Sequence, residues 1–182
     1  MKRTLAVWIS VAIASAAQAA ESPPLEINAC ELLTSAEISA AVGLPVDHGR
    51  RQDEGMSRDG QYSSTCFWTI EPGKAPDQNA PARGRRFVIL NAQRWPAGRD
   101  MAKKFLQAFH ESADKGVIAN QPQPRKFGDE ALWWGDGLAV RKGDVSFGLS
   151  VFIPKRDAAR TSVLEEKLAP HVLRRLDRQS AI

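Results

Sequence analysis

Apolar and polar residues change rhythm several times along the chain, and each change predicts an element. The first rhythm is an apolar run from Leu5 to Ala17, preceded by Lys2 and Arg3 and ending in Ala17-Gln18-Ala19. A short basic stretch, an apolar segment and a small-x-small site make a secretory signal peptide, with cleavage expected just before Ala20. The run is shorter than the ~20 apolar residues that a membrane helix needs. Residues 1–19 are therefore expected to be the signal and 20–182 a single domain.

A short helix is predicted over Thr34 to Gly43. Thr34 can cap it and Glu37 can reach back, which makes a capping box, while Leu33 and Ile38 supply a hydrophobic staple. Gly43 suits the left-handed exit, and Pro45 enforces an extended continuation. Asp47 to Gly60 is polar, carries glycine and reads as a mobile loop. Gln61 to Glu71 alternates, with Tyr62, Cys66, Phe67, Trp68 and Ile70, and reads as a strand. Pro72 to Gly84 reads as a second loop, and Arg85 to Gln93, centred on Phe87-Val88-Ile89-Leu90, as a buried strand. Met101, Phe105, Ala108, Phe109 and Ser112 then share one helical face.

Strands are expected over Phe127 to Trp134, Gly137 to Arg141 and Asp144 to Ile153, with a hairpin at Lys142-Gly143-Asp144. Val145, Phe147, Leu149, Val151 and Ile153 alternate strictly and should share a buried face. A closing helix from about Asp157 places Leu164, Leu168, Val172 and Leu176 at helical spacing, and Pro170 should kink or split it. Helix, strands, helix, strands, helix describes an α+β domain: a mainly antiparallel sheet with helices packed on it.

Composition narrows the class only slightly. With 182 residues, 43% hydrophobic and 25% charged, the chain is outside the disordered and collagenous classes. Lys plus Arg exceed Asp plus Glu by 25 − 21 = 4, and loss of Lys2 and Arg3 with the signal lowers the excess to 23 − 21 = 2. So small an excess on an exported protein argues against a nucleic-acid partner. No lipid anchor is expected either, because Cys30 stands ten residues beyond Ala20 instead of directly after the apolar run. The expected location is periplasmic or secreted. Two cysteines in an exported chain read as one disulfide, Cys30 with Cys66, in preference to a reactive thiol or a metal pair.

Ala29-Cys30-Glu31-Leu32-Leu33-Thr34, Gly43-Leu44-Pro45-Val46, Cys66-Phe67-Trp68 and Gly128-Asp129-Glu130-Ala131 followed by Leu132-Trp133 carry a resemblance. Together they resemble small bacterial cell-envelope proteins of unknown function, many of them lipoproteins. The extracellular sensor domain of a bacterial receptor Ser/Thr kinase is similar. The resemblance implies an α+β fold with a sheet-lined cleft and a bridge between these two cysteines, and it brings no catalytic residues. This chain departs from it in having no lipid-anchor signal.

Catalytic signatures are sparse. Gly55-Met56-Ser57-Arg58-Asp59 lacks the second glycine of a nucleophile elbow. No phosphate loop or dinucleotide fingerprint occurs, and no cofactor is expected. His48, His110 and His171 are scattered, so no metal site is expected. Asp129 and Glu130, adjacent on a strand, would point to opposite faces and make a turn more readily than an acid–base pair. A hydrolase using Asp129, Glu130 and His110 ranks last. Candidate ligand-binding residues are Trp68, Trp133, Trp134 and Arg85: indoles can stack on a sugar or apolar ring, and Arg85, beside Arg83 and Arg86, can meet an anion. The same indoles also suit packing beneath a helix. The expected function is an exported, non-catalytic binding module holding an unidentified small ligand or envelope component in a sheet-lined cleft. The alternative is a protein-interaction factor, an inhibitor or accessory subunit of an envelope complex, acting through the loops at 47–60 and 72–84.

Overall fold

In the computed structural model, residues 26–72, 86–98, 101–153 and 158–179 are described. The signal segment, Arg85 and most of the loop expected over 72–84 lie outside them. The chain enters through α1 (Ala29–Leu32), capped by the Asn28 side chain accepting from the Cys30 N–H, and α2 (Ser35–Val42). Here local chemistry dictates structure. Thr34 and Glu37 form the reciprocal capping box, Leu33 and Ile38 are both fully buried, and Gly43 closes the helix at φ 72°. Its N–H donates to the Ser39 carbonyl at 2.8 Å.

Seven strands follow: β1 (Arg50–Met56), β2 (Tyr62–Thr69), β3 (Phe87–Arg94), β4 (Gln123–Arg125), β5 (Glu130–Trp133), β6 (Leu138–Lys142) and β7 (Val145–Phe152). They make one antiparallel sheet in the order β1-β2-β3-β7-β6-β5-β4. α3 (Met101–Asp114) stands between β3 and β4, and α4 (Ala158–Gln179) ends the described fold. The architecture is α+β with one disulfide, Cys30–Cys66. No helix among the described residues is long and apolar enough to cross a membrane.

The register sorts side chains into two faces. Cys66, Leu90, Leu149 and Leu138 lie across one row, and Ser64, Ala92, Phe147 and Val140 across the next. These residues meet α1, α2 and α4 in the main core, with Leu32, Leu33, Ile38, Leu168 and Val172 fully buried. The disulfide ties α1 to β2 within this layer, across a Cα separation of 5.1 Å. The opposite face meets α3, whose Leu106 packs with Leu132 of β5 and Ala139 of β6, flanked by Phe105, Phe109 and Trp134.

Several expectations need correction. Arg50 to Met56 is a strand, although it lies in the stretch read as a mobile loop. Its polar residues are almost all exposed because it is an edge strand, and a bulge between Asp53 and Gly55 breaks any alternation. β4 was not anticipated, being three residues long and carrying Pro124 at the other edge. On α3 the fully enclosed residues are Ala102 and Leu106, with Phe105 and Phe109 beside them, while Ala108 is exposed. Of the five alternating residues expected to be buried at β7, Val145, Phe147, Leu149 and Val151 are, while Ile153 beyond the strand is only partly covered.

Pro170 does not split α4, which runs on through it as one helix. Its apolar stripe explains why. Leu164, Leu168, Val172 and Leu176 are 4%, 0%, 0% and 2% exposed. Burying a leucine or valine contributes about 1.5–3 kcal/mol, so four outweigh the ~3 kcal/mol cost of an internal proline.

Candidate functional site

Strands that bury one face alternate, so their other residues must form a second surface. On β3 the residues alternating with Val88, Leu90 and Ala92 are Phe87, Ile89, Asn91 and Gln93. On β7 they are Ser146, Gly148, Ser150 and Phe152; on β2 they include Ser63, Thr65 and Phe67. Cross-strand pairing sets Thr65, Asn91 and Gly148 in one row, and Ser63, Gln93 and Ser146 in the next. The middle of this face is therefore polar, although Ser63 and Ser146 are only 3% and 0% exposed.

Buried polar groups are costly unless they are hydrogen-bonded. Asn91 Nδ2 donates to Thr65 Oγ1 at 2.8 Å and to Ser63 Oγ at 3.3 Å. Its Oδ1 accepts from Gln93 Nε2 at 3.1 Å. One row further along the chain, Trp95 Nε1 donates to Ser146 Oγ at 3.0 Å. The result is a ladder of neutral amides and hydroxyls crossing β2, β3 and β7.

An aromatic wall stands on its β6 side. Trp134 stacks on Phe109 of α3 with ring centroids 4.6 Å apart, and Phe109 meets Phe105 edge-on at 5.4 Å. Glycines permit this placement. A Cβ on Gly137 would sit 2.4 Å from Trp134 Cη2 and 2.2 Å from Ser150 Oγ. A Cβ on Gly148 would have Trp134 Cη2 and Phe105 Cζ at 3.8 Å and no third atom within 4 Å. Gly148 thus lies at ordinary contact distance beneath the edges of Trp134 and Phe105, in the same row as Asn91. Beyond the other side of the ladder, the half-buried Phe67, Ile89 and Phe87 form an apolar strip, with the exposed Phe152 stacked on Phe87 (centroids 4.5 Å).

Beside Trp95 lies a recess of about 170 Å³, lined by Trp95, Pro96, Gly98, Met101, Ala102, Gly143 and Asp144. It is smaller than the ~300 Å³ at which small-molecule pockets begin.

The sequence candidates are scattered by the fold. Trp68 is 1% exposed on the core face, beside Gly49, whose Cα–H leaves just enough room for the indole. Trp133 is 7% exposed in the same core. Neither ring offers a free face. Trp134 points to the other side of the sheet, half-buried beneath α3. Asn91, Gln93, Ser63, Thr65 and Ser146 were not anticipated. Their signal is the small or polar residue at every second position of Val145-Ser146-Phe147-Gly148-Leu149-Ser150-Val151 and of Leu90 to Gln93.

The carboxylates read as structural. Asp129 Oδ2 accepts from the Gly143 N–H at 2.7 Å and from Arg141 at 3.1 Å, and Glu130 approaches the same guanidinium at 3.5 Å. The two acids therefore do not diverge to opposite faces, because Asp129 precedes β5 and sits in the turn. His110 is exposed on α3 and His48 on a loop. His171 pairs with Glu37 at 2.6 Å, and Arg175 reaches the same carboxylate at 3.0 Å, tying α4 to the α2 cap. Burial pushes the Glu37 carboxyl up. Hydrogen bonds from Arg175, the Thr34 hydroxyl and backbone, and His171 outweigh it and bring the pKa down to about 2. Among the described residues no group of three His, Cys, Asp or Glu side chains could hold a metal ion. No family model, curated protein or solved structure matches the chain.

Proposed function

We propose that the protein is an exported, non-catalytic binding module whose cleft lies on the sheet face shared with α3. The polar ladder from Ser63 and Thr65 through Asn91 and Gln93 carries this reading. A face with only a packing role is most cheaply filled by apolar side chains, whereas this one spends its central positions on amides and hydroxyls beside an indole edge. The Lys2-Arg3 start, the apolar run and Ala17-Gln18-Ala19 support export, as does a disulfide, which persists in oxidising compartments. The resemblance to bacterial envelope proteins points to the same compartment.

The interaction-factor reading is weaker. Its first loop is the β1 edge strand, whose charges and bulge are devices that discourage strand addition. Native mass spectrometry of protein isolated gently from the cells that make it tests the choice. A small mass released on denaturation and absent from Trp134→Ala is expected; a stoichiometric polypeptide retained by both proteins would refute the cleft.

A further inference from the structure

β1 is one edge of the sheet: β2 pairs with it on one side and, among the described residues, no strand pairs with it on the other. Residues 50–54 are all exposed, so this edge offers its outward backbone N–H and C=O groups to a further strand. Along it run Arg50, Arg51, Gln52, Asp53 and Glu54: two cations, a neutral amide and two anions. Run antiparallel, that order is its own complement. We infer that β1 is an interface for a second copy of this chain, which adds its β1 antiparallel about a two-fold axis through Gln52 and joins two sheets edge to edge.

On that axis Arg51 stands opposite the partner's Asp53 and Arg50 opposite the partner's Glu54, so every charge meets its opposite. Gln52 meets its own copy, and a primary amide both donates to and accepts from another. Arg51 and Asp53 lie on the face of Cys66 and Ser64, and Arg50 and Gln52 on the face of Phe67 and Thr65, so cross-strand pairs share a face. Arg51 already reaches Asp53 and Glu26 of its own chain. The pairing sets a further carboxylate beside it. Charge also fixes the register. A two-fold axis normal to the sheet passes through a residue paired with itself, and moving it from Gln52 to Arg51 or Asp53 sets like charges face to face. The charges that discourage a foreign strand thus single out this one. The bulge between Asp53 and Gly55 keeps the ladder short, so the association is weak and falls with salt. The interface is separate from the cleft, and a dimer of this chain differs in mass from a foreign polypeptide.

Sedimentation velocity of the full chain at low salt, over about 10 µM to 1 mM protein, should show a monomer–dimer equilibrium. Arg50→Glu with Arg51→Glu makes the strand acidic, and Asp53→Arg with Glu54→Arg makes it basic. Each double variant alone should dimerise at least ~100-fold more weakly, because four attractive cross-strand contacts become repulsive. An equimolar mixture of the two should recover a heterodimer, since every acidic position then faces a basic one. Gln52→Cys tests the axis without altering charge. Directly opposed Cα atoms lie about 4.5–5.5 Å apart, within disulfide range, so mild oxidation should link two chains there. Met56→Cys, also exposed but about 26 Å from its own copy at ~3.3 Å per residue, should not link. A monomer at every concentration, a dimer that both double variants retain, or equal or absent linkage at positions 52 and 56 would overturn the proposal.

Discussion

Gly137→Ala isolates the contact on which the aromatic wall depends. Gly137 adopts a backbone that alanine accepts, so the substitution acts through the added methyl alone. That methyl would lie 2.2 Å from Ser150 Oγ and 2.4 Å from Trp134 Cη2 and Cζ2. Ordinary contact begins at about 3.4 Å, so the indole must move by about 1 Å, away from its 4.6 Å stack on Phe109. Overpacking costs about 1–3 kcal/mol and the aromatic pair contributes about 0.5–1.5 kcal/mol. A loss of about 3 kcal/mol is expected, or about 6–12 °C in Tm for a chain of this size. Urea unfolding with near-ultraviolet circular dichroism reads both the stability and the Trp134 environment. The double variant Gly137→Ala with Trp134→Leu should recover part of the loss, giving a coupling of at least ~1 kcal/mol. A cost below ~0.5 kcal/mol, or strict additivity, would show that Trp134 does not lie over β6.

Two further perturbations address the scaffold. Reducing Cys30–Cys66, whose partners are 36 residues apart, should remove about 4 kcal/mol in the chain-entropy account; paired denaturation curves with and without reductant would expose a failure of the staple as an unchanged midpoint. Glu37 has its pKa lowered from 4.5 to about 2, so it contributes stability that is complete above about pH 4.5 and lost as pH falls towards 2. With the carboxylate one-fifth exposed, the contribution is about 2 kcal/mol after screening, and Glu37→Gln should flatten that part of the pH–stability curve; an identical acid limb in both proteins would contradict the junction.

Much of the fold was legible because local signals agreed with burial. Thr34, Glu37 and Gly43 specify a helix without help from the rest of the chain, and the alternation at Val145 to Val151 specifies a strand and its buried face. β1 was hidden because an edge strand exposed to water on most of its surface has no hydrophobic alternation to read. Pro170 misled because propensity acts on one residue, while the buried stripe of α4 acts on four. The cleft was half legible. Trp133 and Trp134 were expected on opposite sides of the sheet, and they are, but which one faces the core depends on register across β5 and β6, a non-local fact. Asn91 and Gln93 were overlooked because the apolar centre of β3 dominates its pattern, and only their pairing with Ser63 and Thr65 makes them a set.

The cleft reading stands on one place in the molecule, the polar row of Asn91 and Gln93 beside Trp134. A crystal structure of the protein purified without denaturation from its native source, before any exchange into additives, examines that place directly. The account predicts density for a ligand hydrogen-bonded to Asn91 or Gln93 and in contact with the Trp134 edge. A retained ligand bound on any other surface, with ordered water alone at Asn91 and Gln93, would contradict it.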